Sequence, residues 1–305
     1  MTLRTDRRGF FGLAGAVGLA SLHTRIALAQ SAMPRRPIPG TSELLPVIGL
    51  GSSKIVSEIA TNGTEPVAAV LRTLVASGGS VVDTWPRDVG NDAGFGSVID
   101  LPDLRDALFV TTKIDIEGAE AGIAQFNQTL ELYRREQIDL AQVFSLTDLA
   151  SNWPSLRMFK DEGRARYIGV TVSSASLYPE LERFVAEEAP DFVQINYSIT
   201  ERDAEARLLP MLANRGIGVI INRPFMNGAY FDRLEGVPLP DWTEAFDCTS
   251  WAQFSLKYIV ANPNLTCVLT ETSNPDHMLE NALAASGPAP TAADRQRMRD
   301  YIDAL

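Results

Sequence analysis

Leu108-Phe109-Val110-Thr111-Thr112-Lys113 is a β-branched apolar run that closes on a lysine, and the earlier run Val81-Val82-Asp83-Thr84 closes on an acid. Runs this short and this apolar read as buried strands of a parallel sheet. The same reading places strands at Val47–Leu50, Ser80–Asp83, Leu108–Lys113, Ile138–Phe144, Arg166–Val172, Phe192–Asn196, Gly218–Asn222 and Leu265–Leu269. Helical periodicity fills the intervals at Glu65–Ser77, Glu120–Arg135, Ser155–Glu162, Ser176–Glu187, Asp203–Arg215, Thr249–Val260 and Asp276–Ala285. Alternation of strand and helix predicts a parallel α/β sheet with crossover helices, and eight strands favour closure into a (β/α)8 TIM barrel over an open sheet. Barrels of this kind place their chemistry at the C-terminal ends of strands. Asp83 and Lys113, each ending its strand, are therefore the first candidate catalytic residues.

Helix punctuation agrees with this layout. Ser77-Gly78 and Arg215-Gly216 put glycine just past helix ends, where a left-handed residue is needed. Ser273-Asn274-Pro275 offers a helix N-cap with proline in the first turn. Pro37-Ile38-Pro39-Gly40-Thr41-Ser42 suits the turn of an N-terminal hairpin closing the barrel bottom, and 289–305 reads as a final amphipathic helix on the outside. Between the second and third strands, Asn91–Ile99 is Gly-rich and too short to be assigned as a helix.

The first 29 residues form a separate segment. Asp6-Arg7-Arg8-Gly9-Phe10-Phe11 is a twin-arginine pattern, Gly12–Leu22 is a short Gly/Ala-rich apolar stretch, and Ala27-Leu28-Ala29 supplies small residues for cleavage. The stretch falls short of the roughly 20 residues a spanning helix needs. The expectation is a twin-arginine signal peptide over 1–29, the export machinery of that route as a partner, and a single barrel over 30–305 delivered folded to the periplasm or exterior, with no membrane span after processing. Loss of the signal removes four arginines and one aspartate, taking the net charge from −11 to about −14. So acidic a surface excludes nucleic acid as a partner and leaves a small-molecule substrate or ligand. Cys248 and Cys267 are separated by a predicted helix and should lie more than ~7 Å apart, beyond disulfide reach. No metal-ligating set is assigned.

Five stretches in order resemble the aldo/keto reductases: Leu45–Gly51, Lys160–Thr171, Gln194–Ser198, Asn222-Arg223-Pro224-Phe225, and Thr272-Ser273-Asn274-Pro275-Asp276-His277 with Glu280-Asn281. The resemblance runs from about Pro37 to about Gly287 and implies an NADPH- or NADH-dependent oxidoreductase acting on a small carbonyl compound. In that family an aspartate–lysine pair lowers the pKa of a tyrosine that protonates the substrate carbonyl, and a histidine orients the substrate. The aspartate maps to Asp83 and the lysine to Lys113. The tyrosine slot holds Asp88 or Val89, and Phe144 stands where the histidine is expected. His277 is the only histidine of the mature chain, and it maps to the nucleotide end. For the cofactor the resemblance implies Thr171, Gln194, Arg223, Thr272, Ser273, Asn274, Glu280 and Asn281, with Val172 replacing a usual asparagine. Glu271 stands where a phosphate-binding lysine is common; a carboxylate there would repel a 2′-phosphate.

Half a tetrad is compatible with three functions. The first is an aldo/keto reductase-like oxidoreductase with an altered active site, using Asp88 or a water as substitute acid. The second is a pseudoenzyme that binds nucleotide or a small ligand without turnover. The third is a non-redox enzyme using Lys113 as Schiff base or proton shuttle. Asp83 and Lys113 also have a bland reading, a buried ion pair whose breakage costs ~3–5 kcal/mol whatever the activity. Trp85, Trp242 and Trp251 either line a pocket or simply pack, whereas Gln194 and Asn196, polar on an inward strand, need partners.

Overall fold

The computed structural model describes residues 33–305, so the twin-arginine segment lies outside the described residues. An antiparallel pair comes first, β1 (Arg35–Pro37) and β2 (Leu44–Pro46), joined through a turn in which Gly40 takes φ 77°. Eight parallel strands then close a barrel: β3 (Ile48–Gly51), β4 (Val81–Asp83), β5 (Phe109–Ile114), β6 (Ile138–Val143), β7 (Ala165–Val172), β8 (Phe192–Asn196), β9 (Gly218–Asn222) and β10 (Cys267–Thr270), with β10 pairing back onto β3. Side chains alternate in and out along each strand. The lower interior layer is therefore Val81, Phe109, Leu140, Tyr167, Phe192, Ile220 and Cys267, plugged from beneath by Ile38 and Leu45 of the hairpin. Two to four residues further up, inward positions turn polar, at Asp83, Thr111, Lys113, Gln142, Thr171 and Gln194. That change of composition between adjacent layers puts a polar site above an apolar floor.

The crossover elements are α1 (Ser53–Ser57), α2 (Ile59–Asn62), α3 (Glu65–Ala76), α4 (Val89–Ile99), α5 (Ala119–Leu132), α6 (Leu149–Asp161), α7 (Tyr178–Glu187), α8 (Leu208–Asn214), α9 (Ala229–Arg233), α10 (Trp251–Val260), α11 (Pro275–Leu283) and, over the outside, α12 (Ala292–Ala304). Helix α4 corrects the sequence reading. Its glycines are there for close approach: a Cβ on Gly96 would lie 1.9 Å from Leu132 O of α5, and one on Gly94 would lie 2.6 Å from Ile59. Helix α6 begins at Leu149, ahead of Pro154, because Asn152 anchors that first turn by donating to Ile116 O and Thr147 O, each at 2.9 Å. Pro154 forfeits one backbone bond, and the buried Trp153 and Leu156 beside it hold the helix regardless. Helix α8 starts later than its periodicity implies, after a separate 3-10 turn at Asp203–Glu205.

Both cysteines are free and buried. Among the described residues no helix is long and apolar enough to cross a membrane.

Candidate active site

Asp83 and Lys113 meet above the apolar floor. Lys113 Nζ donates to both Asp83 carboxylate oxygens at 2.7 Å and to Thr84 O at 2.8 Å, which uses all three of its protons. Asp83 also accepts from Thr111 Oγ1 and from Gln194 Nε2, the latter at 3.2 Å. Lys113 is only 4% exposed. Burial pushes its ammonium below the ordinary value; the Asp83 charge pulls the other way and the Arg87 charge adds to the lowering.

Phe144, which stands in the expected histidine slot, belongs to an aromatic wall. Phe144 packs against Trp85 with ring centroids 5.1 Å apart, and the Arg87 guanidinium lies 4.0 Å over the Trp85 ring. Cation–π contact at a site like this contributes about 0.5–1 kcal/mol. Arg87 is fixed in turn by Nη2 donating to Ser53 O at 3.1 Å and by its own N–H donating to Asp92 at 2.8 Å. Asp88 is engaged away from the pair. It caps α4, accepting from Asn91 N–H at 3.0 Å and from the Asn91 side-chain amide at 2.5 Å, and these bonds hold its carboxyl below the usual carboxylate range. A carboxylate so held is a poor substitute acid. Val89 is 56% exposed.

A cavity of about 720 Å³ opens over the Asp83–Lys113 pair, walled by Trp85, Phe144, Phe225 and Phe231 and carrying Thr171, Gln194, Asn222 and Arg223. Tyr133, which no sequence pattern singles out, is a buried phenol whose OH reaches Thr84 Oγ1 at 3.4 Å. Burial raises its pKa, and it does not line this cavity. The loops that shape the cavity are held in unusual backbone conformations. Ser145, Leu146 and Asp148 follow β6 with φ of 52°, 60° and 42°, and Arg223, Met226 and Asn227 follow β9 with φ of 54°, 51° and 56°. Non-glycine residues in this region each cost roughly 1–3 kcal/mol and persist only where the surroundings over-determine them. Thr171 Oγ1 helps do so by accepting Ser145 N–H at 3.2 Å.

A second cavity of about 330 Å³ continues from the first, sharing Phe225, Phe231 and Glu271 and adding Trp251, Thr272, His277, Glu280 and Asn281. Glu271 sits at the junction, where its carboxylate accepts Lys54 N–H at 2.8 Å. Ser273 and Asn274 line neither cavity: Ser273 is exposed, and the Asn274 side chain caps α11 by accepting Asp276 N–H at 2.9 Å. Asn196 is likewise a structural residue, bonded to Tyr178 and Glu201. Trp242 packs against Phe246, Phe254 and Tyr301 and lines neither of these cavities.

Around the larger cavity, Gln194 Oε1, Asn222 Oδ1 and Arg223 Nε are buried atoms without a hydrogen-bond partner. Buried polar groups are nearly always paired. Two acceptors and a cationic donor left open around one space fit a ligand with a planar amide and an anionic group, as a nicotinamide nucleotide has. Val172 is wholly buried in the outer core and offers that space nothing. Among the described residues no group of three or more His, Cys, Asp or Glu is placed to hold a metal ion.

The profile of the Aldo/keto reductase family matches residues 47–293. The NADH-specific methylglyoxal reductase of Escherichia coli (strain K12) is 24% identical over 335 residues, spanning 90% of this chain and 99% of that protein. An aldo-keto reductase from Klebsiella pneumoniae in complex with NADPH is similar in structure with a TM-score of 0.75 at 21% identity, covering 88% of this chain and 96% of that one. The holo form of an aldo-keto reductase from Bacillus halodurans gives 0.72 at 18% identity, covering 88% and 96%. At these identities the likeness of the solved structures is one of fold.

Proposed function

The chain belongs to the aldo/keto reductase family, and we propose that it is a nicotinamide-dependent oxidoreductase acting on a small carbonyl compound, with NADH preferred over NADPH. The observation that carries this reading is the set of orphaned buried atoms, Gln194 Oε1, Asn222 Oδ1 and Arg223 Nε, lining a cavity that continues into a second one. Gln194 would hold the carboxamide, and Thr272, Glu280 and Asn281 would take the adenosine end. The bound nucleotide would supply a hydride. Glu271 at the junction disfavours an added 2′-phosphate by charge repulsion.

The chain's own residues limit the proton chemistry. Lys113 has no proton free to donate into the cavity, and Phe144 with Trp85 makes the wall apolar. The proton for the substrate oxygen then comes from water. A positioned general acid contributes about 10²–10⁴-fold, so turnover should be slow by that margin. The saturation of Lys113 also favours the second reading, a protein that binds nucleotide with turnover lost altogether. It speaks against a Schiff base, which needs a free amine lone pair.

Calorimetric titration of the purified protein with NADH and NADPH tests the reading. Tighter binding of NADH is expected; absence of binding by either nucleotide sinks the proposal, and equal or tighter NADPH binding removes the role given to Glu271. Steady nucleotide consumption with any small aldehyde or ketone then separates the slow reductase from the pseudoenzyme. The twin-arginine pattern supports export of the folded chain, and we propose a periplasmic or secreted location. Replacing Arg7-Arg8 by Lys-Lys should keep the protein in the cytoplasmic fraction.

A further inference from the structure

The cavity over Asp83 joins the want of a general acid to an aromatic slot. Among the described residues that line it there is no tyrosine, histidine or cysteine. Lys113 spends its protons on Asp83 and Thr84. Asp83 faces that ammonium and Glu271 accepts Lys54 N–H, so both carboxyl groups are placed as acceptors. The other lysine of the lining, Lys54, is exposed at the Glu271 junction with the second cavity. The walls are aromatic on both sides. Trp85 and Phe144 follow β4 and β6, which flank β5, with ring centroids 5.1 Å apart. Phe225 and Phe231, 4.9 Å apart, follow β9, which stands four strands from β5 in the eight-strand ring and so lies across the barrel from it. A flat conjugated ring suits such walls, each aromatic contact adding about 0.5–1.5 kcal/mol beyond the area buried.

The missing acid narrows the chemistry further. Hydride addition to an aldehyde or ketone leaves an alkoxide, a base comparable to hydroxide, whose parent water has a pKa of about 15.7. That charge needs an acid already in place. Hydride addition to a quinone oxygen leaves a phenolate, and a phenol such as tyrosine ionises near a pKa of about 10. So weak a base forms without an acid at hand.

We propose that the carbonyl compound received here is a quinone, lying flat between the Trp85–Phe144 and Phe225–Phe231 walls. One quinone oxygen receives the hydride as a C–H bond of NADH breaks and an O–H bond forms. The electron pair reduces the ring, and NADH is oxidised to NAD⁺. The opposite oxygen, left as phenolate, takes one proton from water to complete the hydroquinone. The inference rests on the reading of this cavity as the carbonyl site of a nicotinamide-dependent oxidoreductase, and it names the substrate class.

The test uses naphthoquinone, its non-aromatic counterpart cyclohexanedione, and benzaldehyde. Without nucleotide, naphthoquinone should bind the purified protein roughly 10-fold more tightly than cyclohexanedione by calorimetry, and quench tryptophan fluorescence, since Trp85 lines the cavity. Trp85→Leu and Phe231→Leu should each weaken naphthoquinone binding by about 3- to 10-fold and leave cyclohexanedione unchanged. Should Trp85→Leu fail to fold by circular dichroism, Phe231→Leu decides, its residue being 39% exposed. With NADH, and after subtraction of the reaction without protein, kcat/KM for naphthoquinone should exceed that for benzaldehyde by at least about 100-fold and stay level between about pH 6.5 and pH 8. Equal binding of the flat and non-flat diketones overturns the proposal, as does equal turnover of naphthoquinone and benzaldehyde. So does a naphthoquinone rate that falls as one protein group loses its proton. Loss of binding in Trp251→Leu with Trp85→Leu unaffected would place the ring in the second cavity and also overturn it. Nucleotide binding without naphthoquinone consumption sinks this proposal alone, whereas failure of both nucleotides to bind sinks the oxidoreductase reading beneath it.

Discussion

Asp92 shows how a side chain outside the cavity can govern the wall that lines it. Its carboxylate accepts the Arg87 N–H, is 3% exposed, and burial raises its pKa to about 6 in spite of the Arg87 N–H and charge, with Asp88 adding to the rise. A folded-state pKa above the unfolded one means that between about pH 4 and pH 6 the native state binds the extra proton, so stability falls as pH rises through that window. The shift corresponds to at most about 3 kcal/mol. Asp92→Asn keeps an acceptor for Arg87 and abolishes the titration. Chemical denaturation at pH 4 and pH 8 should show the variant unchanged relative to wild type at the first pH and stabilised by about 1–3 kcal/mol at the second; a pH-independent difference would refute the assignment. Asp92 and Arg87 carry no sequence signal, and although Trp85 and Phe144 each stand out in the sequence, nothing in their spacing indicates that two strand ends bring them together. Asp83 and Lys113 are legible for the opposite reason, as charges that terminate apolar runs.

Among the elements, the strands are the most readable, since parallel barrel strands are buried on both faces and therefore uniformly apolar. Helix α4 is hidden by the residues that let it pack. Gly94 and Gly96 lower helix propensity by roughly 1 kcal/mol each, yet only glycine lets α4 approach Ile59 of α2 and the end of α5 so closely. Gly96→Ala should therefore destabilise the protein by about 2–4 kcal/mol, beyond usual overpacking because the clash is with backbone, whereas Gly90→Ala, whose Cβ would meet only Asp88 at 3.3 Å, should change stability by less than about 1 kcal/mol. Denaturant midpoints of the two variants decide this, and equal effects would show that α4 can shift. Ser273 and Asn274 illustrate the limit of carrying a site over by alignment. The loop is at the right end of the barrel, but Asn274 is occupied in capping α11. Residue type alone does not tell a cap from a ligand contact.

Across the whole molecule, two arginines of the C-terminal helix α12 converge on one half-buried carboxylate. Glu205 accepts from Tyr258 OH at 2.8 Å, Arg295 at 2.5 Å and Arg299 at 2.9 Å, and from Tyr197 OH. Burial works against the Glu205 charge, but Tyr197, Tyr258 and Arg295 outweigh it and hold the pKa below the ordinary value. A depressed folded pKa contributes stability above the unfolded pKa that is lost as pH falls through the folded one. Glu205→Gln should cost about 2–4 kcal/mol at pH 7 by leaving two arginines poorly matched, and the deficit should shrink on acidification; a constant deficit in pH-dependent thermal melts would argue for lost packing. At the opposite end of the barrel, Arg36 of β1 donates to the carbonyls of Val260, Asn262 and Leu265, which lie 224 to 229 residues further along the chain. Strand β1 therefore cannot find these partners until nearly the whole chain has been synthesised. Contacts of such sequence separation slow folding, so the seating of the N-terminal hairpin waits on the same late segment of chain whose strand β10 closes the barrel onto β3.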